Sequence, residues 1–158
     1  MKELLITGAW RCGEQQVQAL EQMGYAVTFW PDERQTVNMN TQRFEAVICG
    51  GLFLTTPIER FPALKCIQVT SAGLDRVPLD YCKAHGITVY NAGGVYSAPM
   101  AEFVLGGILQ LYKESKFFAE NQAAYRWEKH RGLRELGGKT ACIIGTGSVG
   151  SAIARRLR

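Results

Sequence analysis

The sequence has no apolar run long enough to cross a bilayer. Its longest such stretch, residues 103–109, is interrupted by Gly106 and Gly107, whereas a spanning helix needs about 20 apolar residues. The first residues lead directly into a predicted strand, without the apolar segment and small-residue cleavage site of a signal peptide. We therefore expect no membrane association and a cytoplasmic protein.

Paired cysteines are also lacking. The five cysteines are odd in number and include no Cys-x-x-Cys pair, which argues against a disulfide framework and against a zinc site. Cys49, Cys66 and Cys142 lie in apolar runs, so we expect them to be buried and reduced, as small hydrophobic side chains. We predict no metal site.

Most of the chain has no large excess of positive or negative charge. The net charge is +4, with 47% hydrophobic and 20% charged residues, a composition typical of a folded globular protein. Residues 111–158 are basic, with 10 basic and 4 acidic groups. Glutamates alternate with these basic residues, a pattern typical of a solvated helix face, so we expect no nucleic acid partner.

Strands and helices alternate along the first ninety residues. Short apolar runs predict strands at 3–7, 26–30, 46–49, 65–69 and 88–90. Amphipathic segments predict helices at 13–23 and 78–84, the first ending at Gly24. This order predicts an α/β fold with a flavodoxin-like parallel sheet.

Two loops follow predicted strands and are rich in small residues. They span residues 50–53 and 70–75, and ligands of parallel sheets bind beyond the carboxyl ends of the strands. In the second loop, successive backbone amides could converge on an anion. The same residues are equally compatible with an ordinary turn between a strand and a helix.

A Gly-x-Gly-x-x-Gly motif lies near the end of the chain, at 145–150. Gly145 allows a sharp turn, Gly147 lets the backbone approach a pyrophosphate, and Gly150 lets the following helix pack closely. The apolar run 139–144 predicts a buried strand before this turn, and an apolar stripe predicts a helix after it. The combination favours a dinucleotide-binding turn of the Rossmann type.

The stretch between these regions predicts a hinge and one long helix. Gly93 and Gly94 are followed by Pro99 and by a helical pattern over 98–124, about 40 Å of helix. We predict two domains: a flavodoxin-like domain over 1–94, and a hinge, long helix and incomplete Rossmann domain over 95–158.

Four motifs in order resemble the D-isomer-specific 2-hydroxyacid dehydrogenases. They are Ser-Ala-Gly-Leu-Asp at 71–75, Asn91 with its glycine turn, Met-Ala-Glu at 100–102, and Leu-Gly-Gly-Lys at 136–139 leading into the glycine motif. The resemblance implies a flavodoxin-like substrate domain joined to a Rossmann domain. It also implies reversible reduction of a small 2-keto acid to its D-2-hydroxy acid, with NAD or NADP as cofactor.

The resemblance also assigns the candidate site residues. Ala72 and Gly73 would offer backbone amides to the substrate carboxylate. Met100, where the family often has Val, would lie on the nicotinamide side of the cofactor. The residues that would hold the cofactor pyrophosphate are Gly145, Gly147, Ser148, Val149 and Gly150.

The family's catalytic His, its acidic partner and its Arg all lie beyond the glycine motif, so the resemblance implies that this chain holds none of them. We expect His85 at a helix end and His130 on the surface. The chain is thus expected to be an inactive fragment of a dehydrogenase that forms a homodimer. The alternative is an NAD-sensing binding module of the corepressor type, on the same fold and without turnover.

Overall fold

A computed structural model describes all residues, 1–158. The chain divides into two compact units, Met1–Gly93 and Gly94–Arg158. Each unit is built around a different element type, the first around a parallel sheet and the second around helices. No helix combines the length and the apolar character that crossing a membrane requires.

The first unit contains one five-stranded sheet. Its strands are β1 (Lys2–Thr7), β2 (Tyr25–Trp30), β3 (Ala46–Cys49), β4 (Cys66–Val69) and β5 (Thr88–Tyr90). All pairs are parallel and the order is β2-β1-β3-β4-β5. This is the flavodoxin-like order, so the predicted α/β fold with a parallel sheet is confirmed, with strand bounds within one residue of those expected.

Two helices accompany the sheet, at the predicted positions. The helix α1 (Glu14–Gln22) begins after Gly13, whose amide donates to the Gln16 side chain at 3.0 Å. It ends before Gly24, which has a φ of 88° and so takes the left-handed conformation that commonly closes a helix. The helix α2 (Leu79–Ala84) is followed by β5.

The core of the first unit lies on the three central strands and on the irregular segments that join β2 to β3 and β3 to β4. Leu5, Val47 and Ile67 from these strands are buried. The segments add two short 3₁₀ turns, Leu52–Leu54 and Ile58–Arg60, and two buried rings, Phe44 and Phe61. These apolar contacts fix the carboxyl ends of β1, β3 and β4 relative to one another.

The second unit contains three helices: α3 (Ser97–Tyr112), α4 (Ser115–Ala123) and α5 (Ser148–Arg156). The prediction of one continuous helix over 98–124 was wrong, because the chain breaks at Glu114, which has a φ of 48°. Arg134 donates its amide to the Tyr112 carbonyl at 3.2 Å. In an unbroken helix, that carbonyl would accept from an amide one turn later in the same helix. Here the donor at the end of α3 comes instead from the segment 126–135.

Side-chain contacts also hold residues 126–135, the segment that folds back on the end of α3. Lys113 pairs with Glu135 at 2.7 Å, and Glu114 pairs with His130 at 2.9 Å. A non-glycine residue in the left-handed region is disfavoured by about 1–2 kcal/mol. The Glu114–His130 contact and the Tyr112 hydrogen bond offset that cost.

The strand predicted at 139–144 is absent. This run lies outside any helix or strand, and its last residue, Ile144, is 99% exposed. A strand needs a neighbouring strand to accept and donate its backbone hydrogen bonds, and the sheet of this chain contains only residues from the first unit. Cys142 is exposed and Cys66 half-buried, contrary to expectation, whereas Cys49 is buried.

Candidate functional site

The carboxyl ends of the parallel strands place two loops along one edge of the sheet. Residues 50–53 follow β3 and residues 70–75 follow β4, and these strands are direct neighbours. Thr70 donates its amide to the Cys49 carbonyl at 2.8 Å, which continues the ladder to the point where the loops begin. Both loops therefore begin directly after residues that are hydrogen-bonded within the sheet.

In the loop after β3, a side chain of the protein already binds the backbone amides. The Glu33 carboxylate accepts from the Gly50 amide at 2.8 Å and from the Gly51 amide at 2.6 Å. It also accepts from the hydroxyl of Thr7 at the end of β1. Sequence reasoning missed Glu33, which lies in no motif and is 17 residues from Gly50.

In the loop after β4, the carbonyls are bound and the amides are free. Ser71 donates its hydroxyl to the Gly73 carbonyl at 2.9 Å, and Asn91 donates its side-chain amide to the Ala72 carbonyl at 2.8 Å. The backbone amides of Ala72 and Gly73 donate to no protein acceptor, and both residues are exposed. The loop thus leaves two exposed backbone donors available to an anion, beside the Asp75 carboxylate, one oxygen of which would lie 2.7 Å from a Cβ added to Gly73.

Thiol chemistry is disfavoured at three cysteines of the first unit. Burial, and secondarily the nearby Glu33 carboxylate, raise the pKa of the Cys49 thiol to about 12. Burial also raises the pKa of Cys82 and of Cys66. Because the thiolate is the nucleophile, these cysteines are structural. Separately, no group of three His, Cys, Asp or Glu side chains is arranged to hold a metal ion.

The glycine motif of the second unit forms a tight turn into α5. Gly145 has a φ of 95°, which favours glycine. A Cβ added to Gly150 would lie 2.0 Å from the Gly145 carbonyl oxygen, whereas one added to Gly147 would meet nothing within 4 Å. The turn is further fixed by the Ser151 hydroxyl, which donates to the Thr146 carbonyl at 3.0 Å.

The first turn of α5 leaves its amides unpaired. Ser148, Val149 and Gly150 donate no backbone hydrogen bond to the protein, as expected for the first turn of a helix. Such amides, at the positive end of the helix dipole, form a site for phosphate groups. The space above Gly147 remains open to a ligand.

Met100 lies beside this turn within the second unit. A groove of about 300 Å³ is lined by Tyr96, Pro99, Met100, Phe103, Val104 and Val149. The Met100 side chain is 51% exposed. Arg156 of α5 pairs with Glu102 of α3 at 3.1 Å, so the helix that carries Met100 and the helix that follows the glycine turn are joined by an ion pair.

The two histidines take part in local contacts. His85 follows α2, bonds through Nδ1 to the Tyr81 carbonyl at 2.9 Å and stacks on the Tyr81 ring. His130 pairs with Glu114 and lies 4.4 Å from the Phe117 ring centroid. These contacts account for both imidazoles structurally.

A flavodoxin-like parallel sheet followed by a glycine turn into a helix is an arrangement of α/β proteins that bind ligands beyond the carboxyl ends of their strands. The chain belongs to the D-isomer specific 2-hydroxyacid dehydrogenase family, whose catalytic domain it matches over residues 5–150. That match extends from the first strand to the last glycine of the turn.

Known relatives agree with this assignment. A glyoxylate reductase of Thermofilum pendens is 30% identical over 138 residues, which are 81% of this chain and 40% of that protein. A D-lactate dehydrogenase of Aquifex aeolicus, solved with NAD and lactic acid, aligns with a TM-score of 0.75 at 24% identity, over 98% of this chain and 47% of that one.

A third relative has the same fold. An NADPH-dependent glyoxylate/hydroxypyruvate reductase of Sinorhizobium meliloti, solved with NADP and malonate, aligns with a TM-score of 0.74 at 24% identity. The alignment covers 99% of this chain and 50% of that one. The chain therefore spans about half the length of these proteins, or less.

Proposed function

We propose that this chain is part of an oxidoreductase that interconverts a small 2-keto acid and its D-2-hydroxy acid with NAD or NADP. The observation that carries the proposal is the pair of unpaired backbone amides at Ala72 and Gly73, exposed at the carboxyl edge of the sheet. The names of the relatives, which include glyoxylate reductase and D-lactate dehydrogenase, support a small keto or hydroxy acid as the substrate class.

In this proposal, residues 1–94 form the substrate domain. The amides of Ala72 and Gly73 bind the substrate carboxylate, because charge-assisted hydrogen bonds to an anion are stronger than those between neutral groups. The Asn91 and Ser71 side chains hold the loop by its carbonyls. The loop is thereby ordered before the substrate arrives, which lowers the entropic cost of binding.

Residues 95–158 contribute the cofactor contacts. The turn fits a pyrophosphate, since Gly147 is open and the amides of Ser148, Val149 and Gly150 are unpaired. Met100, in the groove it shares with Val149, contacts the nicotinamide side of the cofactor. When bound, the nicotinamide supplies or accepts the hydride.

The chain by itself is proposed to bind ligands without turnover. Reduction of a keto acid needs a proton donor for the new alkoxide and a cation to polarise the carbonyl. Both imidazoles are engaged in local contacts with other residues. We therefore expect binding without chemistry.

The test is an amide titration combined with a turnover assay. Oxamate, a stable analogue of a 2-keto acid, should shift the amide resonances of Ala72 and Gly73, and NAD should shift those of Ser148 to Gly150. NADH absorbance with glyoxylate, hydroxypyruvate or pyruvate should stay constant. Unchanged Ala72 and Gly73 resonances at millimolar oxamate would refute the substrate role, and steady NADH oxidation would refute the expected inactivity.

Self-association through α3 is a further part of the proposal. Phe103 is 83% exposed and Leu111 is 79% exposed on this helix, and apolar patches of this kind mark interaction surfaces. We expect a homodimer by light scattering at micromolar concentration, and a Phe103→Ser, Leu111→Ser double variant should shift it toward monomer. A monomeric parent chain would contradict this expectation.

A further inference from the structure

The Glu33 carboxylate lies at the crevice where the sheet reverses its order. The strand β1 lies between β2 and β3. The chain therefore passes from β1 to β2 on one side of it, and then to β3 on its other side. In open parallel sheets this crevice is where ligands bind. Here Glu33 Oε1 accepts from the Thr7 hydroxyl and the Gly50 amide, and Oε2 accepts from the Gly51 amide.

The donors around Glu33 are those of an anion site. They comprise two successive backbone amides and one hydroxyl, and Thr7 is fully buried. Glu33 takes part in none of the ion pairs of the chain. The hydrogen bonds to its carboxylate therefore all come from uncharged donors, as in many small-anion sites of proteins.

The position of Glu33 is itself fixed by the backbone. The Thr55 hydroxyl donates to the Glu33 carbonyl at 2.6 Å, and the preceding strand is joined to β1 by the Gly8 amide, which donates to the Trp30 carbonyl at 2.8 Å. The backbone that carries Glu33 is thus fixed by hydrogen bonds, and this places the carboxylate at the crevice.

We propose that the crevice formed by Thr7, Gly50 and Gly51 is a carboxylate-binding site whose ligand is the protein's own Glu33. Removal of this side chain converts the crevice into a site for a small external carboxylate such as formate. A second consequence, which rests on the proposed function, is that a substrate carboxylate is directed to the loop after β4, because the amides after β3 are already engaged.

Chemical rescue tests the proposal. Glu33→Ala should lower Tm by about 5–10 °C, because the Gly50 and Gly51 amides lose their acceptor, whereas the Thr7 hydroxyl keeps the Ile48 carbonyl at 3.2 Å. Sodium formate at about 100 mM should recover at least half of that loss, and sodium chloride at equal ionic strength should recover none. Glu33→Gln should be destabilised without rescue, because its amide nitrogen faces one of the two backbone donors and its bulk excludes formate.

A matched control removes the same charge elsewhere. Glu59 is exposed in the second 3₁₀ turn, so Glu59→Ala should change Tm by less than about 2 °C and show no formate effect. In Glu33→Ala, formate should shift the Gly50 and Gly51 amide resonances, whereas in the parent chain these resonances should not respond.

The outcomes separate this proposal from the proposed function. If formate neither raises Tm nor shifts Gly50 and Gly51 in Glu33→Ala, the crevice is not a carboxylate site, whatever oxamate does at Ala72 and Gly73. If formate rescues the variant but oxamate leaves Ala72 and Gly73 unchanged in the parent chain, the crevice proposal stands and the substrate role fails. Equal rescue by chloride would also overturn the crevice proposal.

Discussion

A Gly8→Ala variant is expected to lose about 3 kcal/mol of unfolding free energy. An added Cβ would lie 2.0 Å from the Pro31 carbonyl oxygen and 2.9 Å from its carbon. These are backbone atoms, and the Gly8 amide holds them by donating to the Trp30 carbonyl at 2.8 Å. The methyl group is therefore accommodated only if the ends of β1 and β2 separate.

Urea unfolding followed by tryptophan fluorescence measures this loss, since Trp30 lies at the affected strand end. The control is Gly13→Ala in the same unit, where the new Cβ would meet only the flexible end of the Gln16 side chain, at 3.0 Å. That change should cost less than about 1 kcal/mol. Equal losses in the two variants would contradict the expected clash.

The sheet was predictable because its signals are local. Each strand is a short apolar run, and each helix before a strand ends at a glycine, as at Gly24 and Gly86, both with positive φ. Short connections between parallel strands then leave few possible orders. The flavodoxin-like order follows from patterns that lie within about ten residues of one another.

The break after α3 was not predictable in this way. The sequence near Glu114 contains no glycine or proline, so helix propensity alone extends the helix. The break depends on residues about twenty positions later, which bind the Tyr112 carbonyl and the Glu114 carboxylate. The strand expected at 139–144 was wrong for a related reason, because an apolar run becomes a strand only where another strand pairs with it.

In the candidate site, too, the features that follow from local sequence were predictable, and those that depend on contacts distant in sequence were not. The spacing of the glycine motif requires a positive φ at Gly145 and close packing at Gly150, and the structure has both features. Their ligand roles, and those of Ala72, Gly73 and Met100, stay predictions. Glu33 was missed because its contacts join residues 17 to 26 positions apart, and no spacing rule describes such a cluster.

Substitutions in the glycine motif are expected to have the second large effect, on NAD binding. Each glycine should affect binding for a different structural reason. Gly150→Ala places a Cβ 2.0 Å from the Gly145 carbonyl oxygen and 3.4 Å from a methyl group of Ile143, so α5 must move away from the turn. Loss of one charge-assisted hydrogen bond costs about 1.5–3 kcal/mol, which is about ten- to a hundredfold in affinity for NAD. Calorimetric titration with NAD measures this change.

Gly147→Ala should separate ligand contact from folding. Its added Cβ meets no protein atom within 4 Å, so the amide spectrum of the free chain should change only near the substitution, while NAD binding weakens as much as in Gly150→Ala. Gly137→Ala, also without a neighbour within 4 Å, should alter neither property. If Gly147→Ala binds NAD like the parent chain, the pyrophosphate does not approach the backbone there. The turn would then serve packing alone, because the fold requires Gly145, by its positive φ, and Gly150, by its close contact, but not Gly147.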